Sequence, residues 1–399
     1  MRRMPFLPIT LFSTLLHAWI GWRIVPPLAS LAGWPASGWS FAFLLLLSAV
    51  LMPMSFALGR RPDKPMLQLV AVWLGLLLMG LFSSLFVLTL LRDVLLLLTW
   101  LVVWLGSLWG VELMSLEAIQ AYSAGAVPLL ALAATGWGFW NARRTATVVR
   151  VDVPIVGLPA ALHGFTVAQI SDIHIGVTIR RAYLGRIVAR VNALRADMVA
   201  ITGDLVDGSV ADLASHVAPL ADLRSRHGTF FVTGNHEYYS GALPWIDELR
   251  RLGVQVLVNQ HVVLQHPGAQ ATSAGAALVL AGVADFGAHH FIESHRSDPH
   301  AALKGAPDNV PTRVLLAHQP RSALVAEQAG FQLQLSGHTH GGQIWPWNYF
   351  VRFQQPFTAG LNRLSRLWVY TNRGTGYWGP PKRFGAPSEI TYLRLVAAA

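Results

Sequence analysis

Five short polar clusters interrupt the second half of this 399-residue chain: Asp172-Ile173-His174, Gly203-Asp204, Gly234-Asn235-His236-Glu237, His318 and Gly337-His338-Thr339-His340. They offer carboxylate, imidazole and amide oxygen, the donor types that bind divalent cations. An Asp with a His two residues later can aim both side chains at one ion where the chain leaves a strand and loses strict alternation, as Asp172 and His174 would. Asp204 carries two carboxylate oxygens and can bridge two cations about 3.5 to 4 Å apart. Asn235 and the histidines His318, His338 and His340 complete the two shells. Two adjacent cations suit phosphoryl chemistry, because they bind phosphate oxygens, acidify a water and stabilise the charge of in-line attack. His236, beside Asn235, is then left to donate a proton to the departing oxygen or to steady the phosphate. The chain has no cysteine, so thiolate sites are excluded, and the imidazole and carboxylate set suits two ions of Mn, Fe or Zn better than calcium. Asp-x-His and Gly-Asp recur by chance in many proteins. Gly-Asn-His-Glu and Gly-His-Thr-His are rarer, and the ordered set of five is rarer still.

For clusters so far apart in sequence to meet, each must sit at the end of an element that delivers it to a common edge. Short apolar runs precede them all. Phe165 to Ile170 reads as a buried strand ending on Ser171-Asp172, Met198 to Thr202 runs into Gly203-Asp204, and Thr229 to Thr233 runs into Gly234-Asn235. Arg313 to Ala317 leads to His318, and Phe331 to Leu335 leads to Ser336-Gly337-His338. Residues 180 to 195 read as a helix with Leu184, Ile187, Val188, Val191 and Leu194 on one face and Arg186 and Arg190 away from it. Strands alternating with helices predict a layered α/β domain over residues 150 to 396, whose sites gather at strand ends.

Composition separates that domain from the residues before it. The chain is 53% hydrophobic and 13% charged, too apolar for a soluble protein of this size. The excess lies in residues 1 to 145, which predict a transmembrane helical region. A spanning helix needs about 20 mostly apolar residues, and five stretches qualify, at roughly 5–22, 38–58, 66–91, 94–113 and 119–140. Charges mark the breaks: Arg23, then Arg60, Arg61 and Lys64, then Arg92 with Asp93, then Glu112 and Glu117, then Arg143 and Arg144. Trp19, Trp22, Trp100, Trp109, Trp137 and Trp140 fall near the ends, as interfacial aromatics do. Arg2 and Arg3 with the Arg60 to Lys64 loop favour the cytoplasm, and five spans then lean the α/β domain to the extracytoplasmic side, against the pull of Arg143 and Arg144. The amino-terminal segment does not read as a cleavable signal, since further spans come after it. His17 and Glu112 read as interfacial groups. The net charge of +10 favours anionic lipid or phosphate-bearing partners. No nucleic acid is expected, because the basic residues are not interleaved with aromatics in any recognition motif.

Other polar residues have plainer readings. Asp207 and Glu237 lie beside the clusters, as groups that orient imidazoles or as turn and cap residues. His289, His290, His295 and His300 read as an exposed insertion, and Arg180, Arg181, Arg186, Arg190 and Arg195 as a solvated helix face.

The five clusters resemble, in order and content, the motifs of the calcineurin-like metallophosphoesterase superfamily: D-x-H, G-D, G-N-H-[DE], H and G-H-x-H, all intact here. The resemblance covers about residues 150 to 396. It implies a four-layer α/β/β/α sandwich in which Asp172, His174, Asp204 and His340 bind one metal, Asp204, Asn235, His318 and His338 bind the other, and His236 is the catalytic imidazole. The tail, Asn372 to Gly376 and Pro380 to Ile390, is similar to the membrane-associated phosphodiesterase branch. That branch includes transmembrane proteins with a carboxy-terminal phosphoesterase domain and bacterial enzymes that hydrolyse the pyrophosphate of UDP-2,3-diacylglucosamine in lipid A synthesis. Tyr377-Trp378 stands where relatives often carry smaller residues.

The resemblance and the apolar region together imply an integral membrane phosphodiesterase or pyrophosphatase of the bacterial inner membrane, acting on a phosphoester that is lipid-linked, with a sugar nucleotide such as UDP-2,3-diacylglucosamine the leading candidate. Holding a site near a bilayer raises its encounter rate with lipid substrates. The alternative is a membrane transporter or sensor that uses the domain to bind ligand or metal without turnover, which an intact His236 argues against.

Overall fold

Val167, Met198, Ala200 and Phe230 are buried in one core layer while Ala168, Ile170, Val199 and Ile201 are buried in another. That odd and even division is what a sheet covered on both faces requires. The structure is a computed structural model and describes residues 6–31, 35–59, 65–109, 115–267 and 275–398. The chain divides into two units, Met1–Trp140 with Gly379–Lys382, and Asn141–Trp378 with Arg383–Ala399.

The first unit holds the helices α1 (Phe6–Leu31), α2 (Pro35–Gly59), α3 (Met66–Ser107) and α4 (Leu116–Arg143). Of the described residues, α2, α3 and α4 are long and apolar enough to cross a membrane by length and composition. They pack with α1 around Ile20, Ile24, Phe41, Leu45, Leu78, Leu81, Leu85, Val127 and Ala131. The stretches 66–91 and 94–113, expected as separate spans, are joined: α3 is one helix of 42 residues. The expected break at Arg92-Asp93 does not occur because both charges are satisfied inside the bundle. Arg23 forks onto Asp93 at 2.8 to 2.9 Å, and Arg92 donates to Ser123 Oγ and the Gln120 carbonyl, both at 3.0 Å. His17 is buried among the helices, with Nε2 2.9 Å from Ser48 Oγ, Nδ1 2.7 Å from the Ser13 carbonyl, and its ring stacked on Phe82. Lys382, also buried, donates to the Gly80 carbonyl at 2.7 Å and to Ser84 and Thr135 at 2.6 and 3.0 Å. Arg2, Arg3, the Arg60 to Lys64 loop and Glu112 lie outside the described residues.

The second unit runs β1 (Thr147–Val156), β2 (Thr166–Ile170), α5 (Arg181–Asn192), β3 (Met198–Ile201), α6 (Val210–Val217), β4 (Thr229–Phe231), α7 (Asn235–Ser240), α8 (Ala242–Arg251), β5 (Gln255–Val256), β6 (Gln260–His266) and β7 (Ala276–Gly282). It continues with α9 (Pro299–Ala302), β8 (Arg313–Leu316), α10 (Ala323–Gln328), β9 (Leu333–Ser336), α11 (Asn348–Val351), β10 (Gly360–Leu364), β11 (Leu367–Thr371) and β12 (Glu389–Ala398). Two six-stranded sheets form, ordered β1-β12-β2-β3-β4-β5 and β10-β11-β9-β8-β7-β6. The runs β2 to β5 and β7-β8-β9-β11 are parallel, while β12 against β2, β6 against β7 and β10 against β11 are antiparallel.

Apolar residues fill three layers. Val167, Met198 and Phe230 of the first sheet meet Leu280, Val314, Leu316, Leu333 and Leu335 of the second. Ala168, Ile201 and Phe231 meet Leu184, Ile187 and Val191 of α5 and Ile246 and Leu249 of α8. Leu315 and Val369 meet Ala323 and Ala326 of α10 with Ala302 of α9. The result is the helix, sheet, sheet, helix order expected from the resemblance. Each fully buried Val, Leu or Ile contributes about 1.5 to 3 kcal/mol relative to an exposed one, so the central strands are firm supports for the loops at their ends.

Candidate metal centre

Every cluster named from the sequence leaves the carboxyl end of a parallel strand. Asp172 and His174 follow β2, Asp204 follows β3, Asn235 and His236 open α7 after β4, His318 follows β8, and His338 and His340 follow β9. Gln169 ties the two sheets at this edge, its Nε2 donating to Thr202 Oγ1 and the Ser336 carbonyl, both at 2.9 Å. The backbone then turns sharply. Asp172, His174, Asp204, His338 and His340 all adopt left-handed φ, between 51° and 70°, at about 1 to 2 kcal/mol for each non-glycine residue. Strain of this kind persists only where surrounding structure over-determines it, and it collects at functional sites. At Gly337 a Cβ would overlap Ser171 Oγ and Asp172 Oδ2, and at Gly234 it would overlap Asp204 Oδ1. Only glycine lets these loops close on the carboxylates.

The proposed ligands converge as two groups. Asp172, His174 and His340 place one atom each within 4.8 Å of one another, as do Asp204, His318 and His338; a third set, His174 with Asp207 and His236, meets the same distance and shares His174 with the first. In the first group His174 Nε2 lies 3.0 Å from His340 Nε2, and His340 Nε2 lies 3.5 Å from Asp172 Oδ1. In the second, His318 Nε2 lies 3.1 Å from Asp204 Oδ2 and 3.2 Å from His338 Nδ1. Asp204 Oδ2 also lies 3.9 Å from His174 Nε2, so one carboxylate reaches both groups. Two features fit these donors to divalent cations. Asn235 Oδ1 is buried without a hydrogen-bond partner, a costly state for an amide oxygen unless an ion accepts it. Asp172 and Asp204 are both buried, and among the described residues the groups within ion-pair distance of them are imidazoles, His318 at 3.1 Å from Asp204 Oδ2 and His340 at 3.5 Å from Asp172 Oδ1, the donor type that shares a divalent cation with carboxylate.

Surrounding groups hold the donors in place. His318 Nδ1 sits 2.7 Å from the Thr202 carbonyl, which aims Nε2 at Asp204. The buried Arg383 donates to the carbonyls of His340, Arg373, Gly376 and Ala386 and reaches His340 Nδ1 at 3.0 Å. The Glu237 carboxylate accepts from the backbone N–H groups of Gly234, Asp204 and Leu205 at 2.7, 3.0 and 2.8 Å, so one side chain pins two site loops. Asp207 Oδ1 accepts from His174 Nδ1 at 3.0 Å and His236 Nδ1 at 2.6 Å. The alternatives open for Asp207 and Glu237 in the sequence resolve this way: Asp207 orients two imidazoles, and Glu237 organises loop backbone.

Charge follows this geometry. Burial alone would raise Asp204, but His318 and His236 hold it well below the usual carboxylate range. Burial would lower the His236 imidazole, yet Asp204 and Asp207 outweigh it and lift the group to about 9. Burial, reinforced by His318, pushes His338 down to about 3, leaving it neutral and able to act as a ligand. The His236 Nδ1 is engaged by Asp207, which leaves its Nε2, 4.0 Å from Asp204 Oδ2, as the ring nitrogen facing the site.

Arg383 is a positioning residue that sequence reasoning does not single out, because most of its partners are backbone carbonyls, which every residue has and no motif marks. The arginines of α5 are exposed as expected. In the histidine-rich insertion His290 and His300 are exposed, whereas His295 Nδ1 lies 2.8 Å from Tyr238 OH.

A family model described as calcineurin-like phosphoesterase matches residues 165–342. The transmembrane protein with metallophosphoesterase domain of Bos taurus is 42% identical over 267 residues, 65% of this chain and 60% of that protein. An uncharacterized metallophosphoesterase of Campylobacter jejuni is 37% identical over 258 residues, 64% of each chain. One of Aquifex aeolicus is 31% identical over 230 residues, 56% of this chain and 82% of that protein. The chain therefore spans about 60% of the length of the bovine relative and most of the length of the Aquifex one.

Proposed function

This chain belongs to the calcineurin-like phosphoesterase family, and from that premise we propose that it is a membrane-bound hydrolase of phosphodiesters or pyrophosphates that works with two divalent cations. The observation that carries the proposal is the Asp204 carboxylate, which reaches both donor groups, with His236 beside it and outside them. Asp172, His174, Asp204 and His340 would hold one ion, and Asp204, Asn235, His318 and His338 the other. Bound there, the ions would supply positive charge to the phosphate oxygens and acidify a water. The protein's own contribution is positioning and a proton. Asp204 and Asp207 together favour the protonated imidazole of His236, and Asp207 on Nδ1 leaves its Nε2 toward Asp204, so His236 can pass a proton to the departing oxygen. Glu237 and Arg383 keep the loops from relaxing as charge moves.

The apolar helices of the first unit and the name of the bovine relative support a membrane setting, and we place the chain in a bacterial inner membrane. We take the substrate to be a lipid-linked phosphoester, with the pyrophosphate of a sugar nucleotide such as UDP-2,3-diacylglucosamine in lipid A synthesis as the leading candidate and Mn, Fe or Zn as the metals. A domain outside the cytoplasm would be restricted to outer-leaflet esters; a cytoplasmic one would admit UDP-linked lipids. The full chain with Mn should hydrolyse bis-p-nitrophenyl phosphate, Asp204→Asn should lose metal and activity together, and His236→Ala should keep its metal while kcat falls about 10² to 10⁴-fold. Undiminished turnover in both variants would sink the proposed site.

A further inference from the structure

Two exposed aromatic rings pack against His236 itself. Tyr239, one turn further along α7, has its ring centroid 5.2 Å from the imidazole, and Trp378 has its centroid 5.9 Å away, both edge to face. Phe291 extends the strip, 5.6 Å from Tyr239. Tyr239 is 58% exposed, Phe291 54% and Trp378 45%. Large apolar side chains exposed in a contiguous strip mark interaction sites more often than isolated ones do.

The strip is also held ready. The Gln343 amide clamps Trp378 from both sides of its peptide, accepting from Trp378 N at 2.9 Å and donating to its carbonyl at 2.8 Å. Gln343 lies three residues after His340, so the loop that bears Trp378 is latched to the loop that bears two of the donor histidines. Tyr239 is fixed by the helix that carries Asn235 and His236. Phe291 is backed by Tyr238, at 5.8 Å, whose hydroxyl is engaged by His295. A preorganised aromatic surface needs little ordering on contact, which is what makes such rings effective anchors.

The geometry points to a subsite, built from Trp378, Tyr239 and Phe291, that receives a flat ring carried on the leaving group of the phosphoester. This rests on the assignment of His236 as proton donor: whatever is attached to the departing oxygen lies beside His236, where Tyr239 and Trp378 are its ring neighbours. Aromatic pairs prefer offset or edge-to-face contact and gain beyond their buried area when both partners are flat. A nucleobase or an aryl ester meets that requirement, and a methyl ester does not.

The test uses the full chain in nanodiscs, loaded with Mn, and calorimetric titration with phenylphosphonate, cyclohexylphosphonate and methylphosphonate. All three carry the same anionic head, so their differences report the ring site. Phenylphosphonate is expected to bind about tenfold tighter than methylphosphonate, which is about 1.4 kcal/mol, with cyclohexylphosphonate clearly weaker than phenyl. In Tyr239→Ala/Trp378→Ala the phenyl preference should collapse to within about twofold, and Trp378→Phe should restore most of it. Equal binding of the phenyl and cyclohexyl ligands by the unsubstituted chain overturns the subsite with no variant needed. So does a phenyl preference that survives the double substitution. Hydrolysis of bis-p-nitrophenyl phosphate by the same preparation reports separately on the proposed function. A phenyl preference without turnover refutes the enzyme assignment, and turnover without a phenyl preference refutes the subsite.

Discussion

Replacing Asp207 by Asn should move the alkaline limit of activity downward. Asp207 Oδ1 accepts from His236 Nδ1 at 2.6 Å, and with Asp204 it lifts the imidazole to about 9 against the opposing pull of burial. A proton donor works while protonated, so His236 sets the alkaline limb, with kcat/KM falling about tenfold per pH unit above its pKa, while the acidified water sets the acid limb. Removing a carboxylate that favours the charged imidazole lowers that pKa, and the fall begins earlier. Hydrogen bonds to charged groups contribute about 1.5 to 3 kcal/mol net, and one pKa unit is about 1.36 kcal/mol. Asn keeps an acceptor oxygen at the same place, and the Asp207 side chain is 29% exposed, so the lower end applies: a shift of about one unit. The assay is a pH profile of kcat/KM for bis-p-nitrophenyl phosphate with Mn, from about pH 6 to 10, a range that brackets the expected limb. Asp207 also orients His174 at 3.0 Å, so bound Mn is measured in parallel, and only preparations with full metal content are compared. An alkaline limb that stays where it was, with metal retained and lower activity at every pH, would refute the idea that Asp207 acts by sustaining the His236 proton.

Three further outcomes are expected from the same geometry. Gly337→Ala would force a Cβ onto Ser171 Oγ and Asp172 Oδ2; overpacking of this kind costs about 1 to 3 kcal/mol, and thermal denaturation should show the loss together with weaker Mn binding, while an unchanged Tm would mean that the loop has slack. Chelation should lower the Tm of the full chain and Mn should restore it, since an ion at about a hundred times its Kd stabilises by about 2.7 kcal/mol; a Tm indifferent to both would show that the buried carboxylates need no cation. A reporter fused at the carboxy terminus must be cytoplasmic if the substrate is a UDP-linked lipid, and an external reporter would exclude that substrate while leaving the metal centre untouched.

All of the proposed donors, His236 and the strands that end on them are legible from residue order, because a parallel strand buried on both faces announces itself as a short apolar run and a catalytic loop announces itself as the polar cluster that ends it. The match is close at β2, where Thr166–Ile170 forms within the expected 165–170, and at β3, where Met198–Ile201 forms within 198–202. The single helix across Arg92-Asp93 is not legible, since a charge pair reads as a break until its partners are known, and Arg23, Gln120 and Ser123 are supplied by other helices. The buried place of His17 is hidden for the same reason. Asp207 as an orienting group, Glu237 as a clasp between two loops and the tie from Arg383 to the His340 carbonyl depend on side chains brought together across 29 or more positions of sequence. Local sequence determines which atoms a residue can offer and how its own segment is patterned. Only tertiary packing decides which distant partner receives them, because hydrogen bonds and charge interactions act over a few ångströms of space and have no memory of separation along the chain.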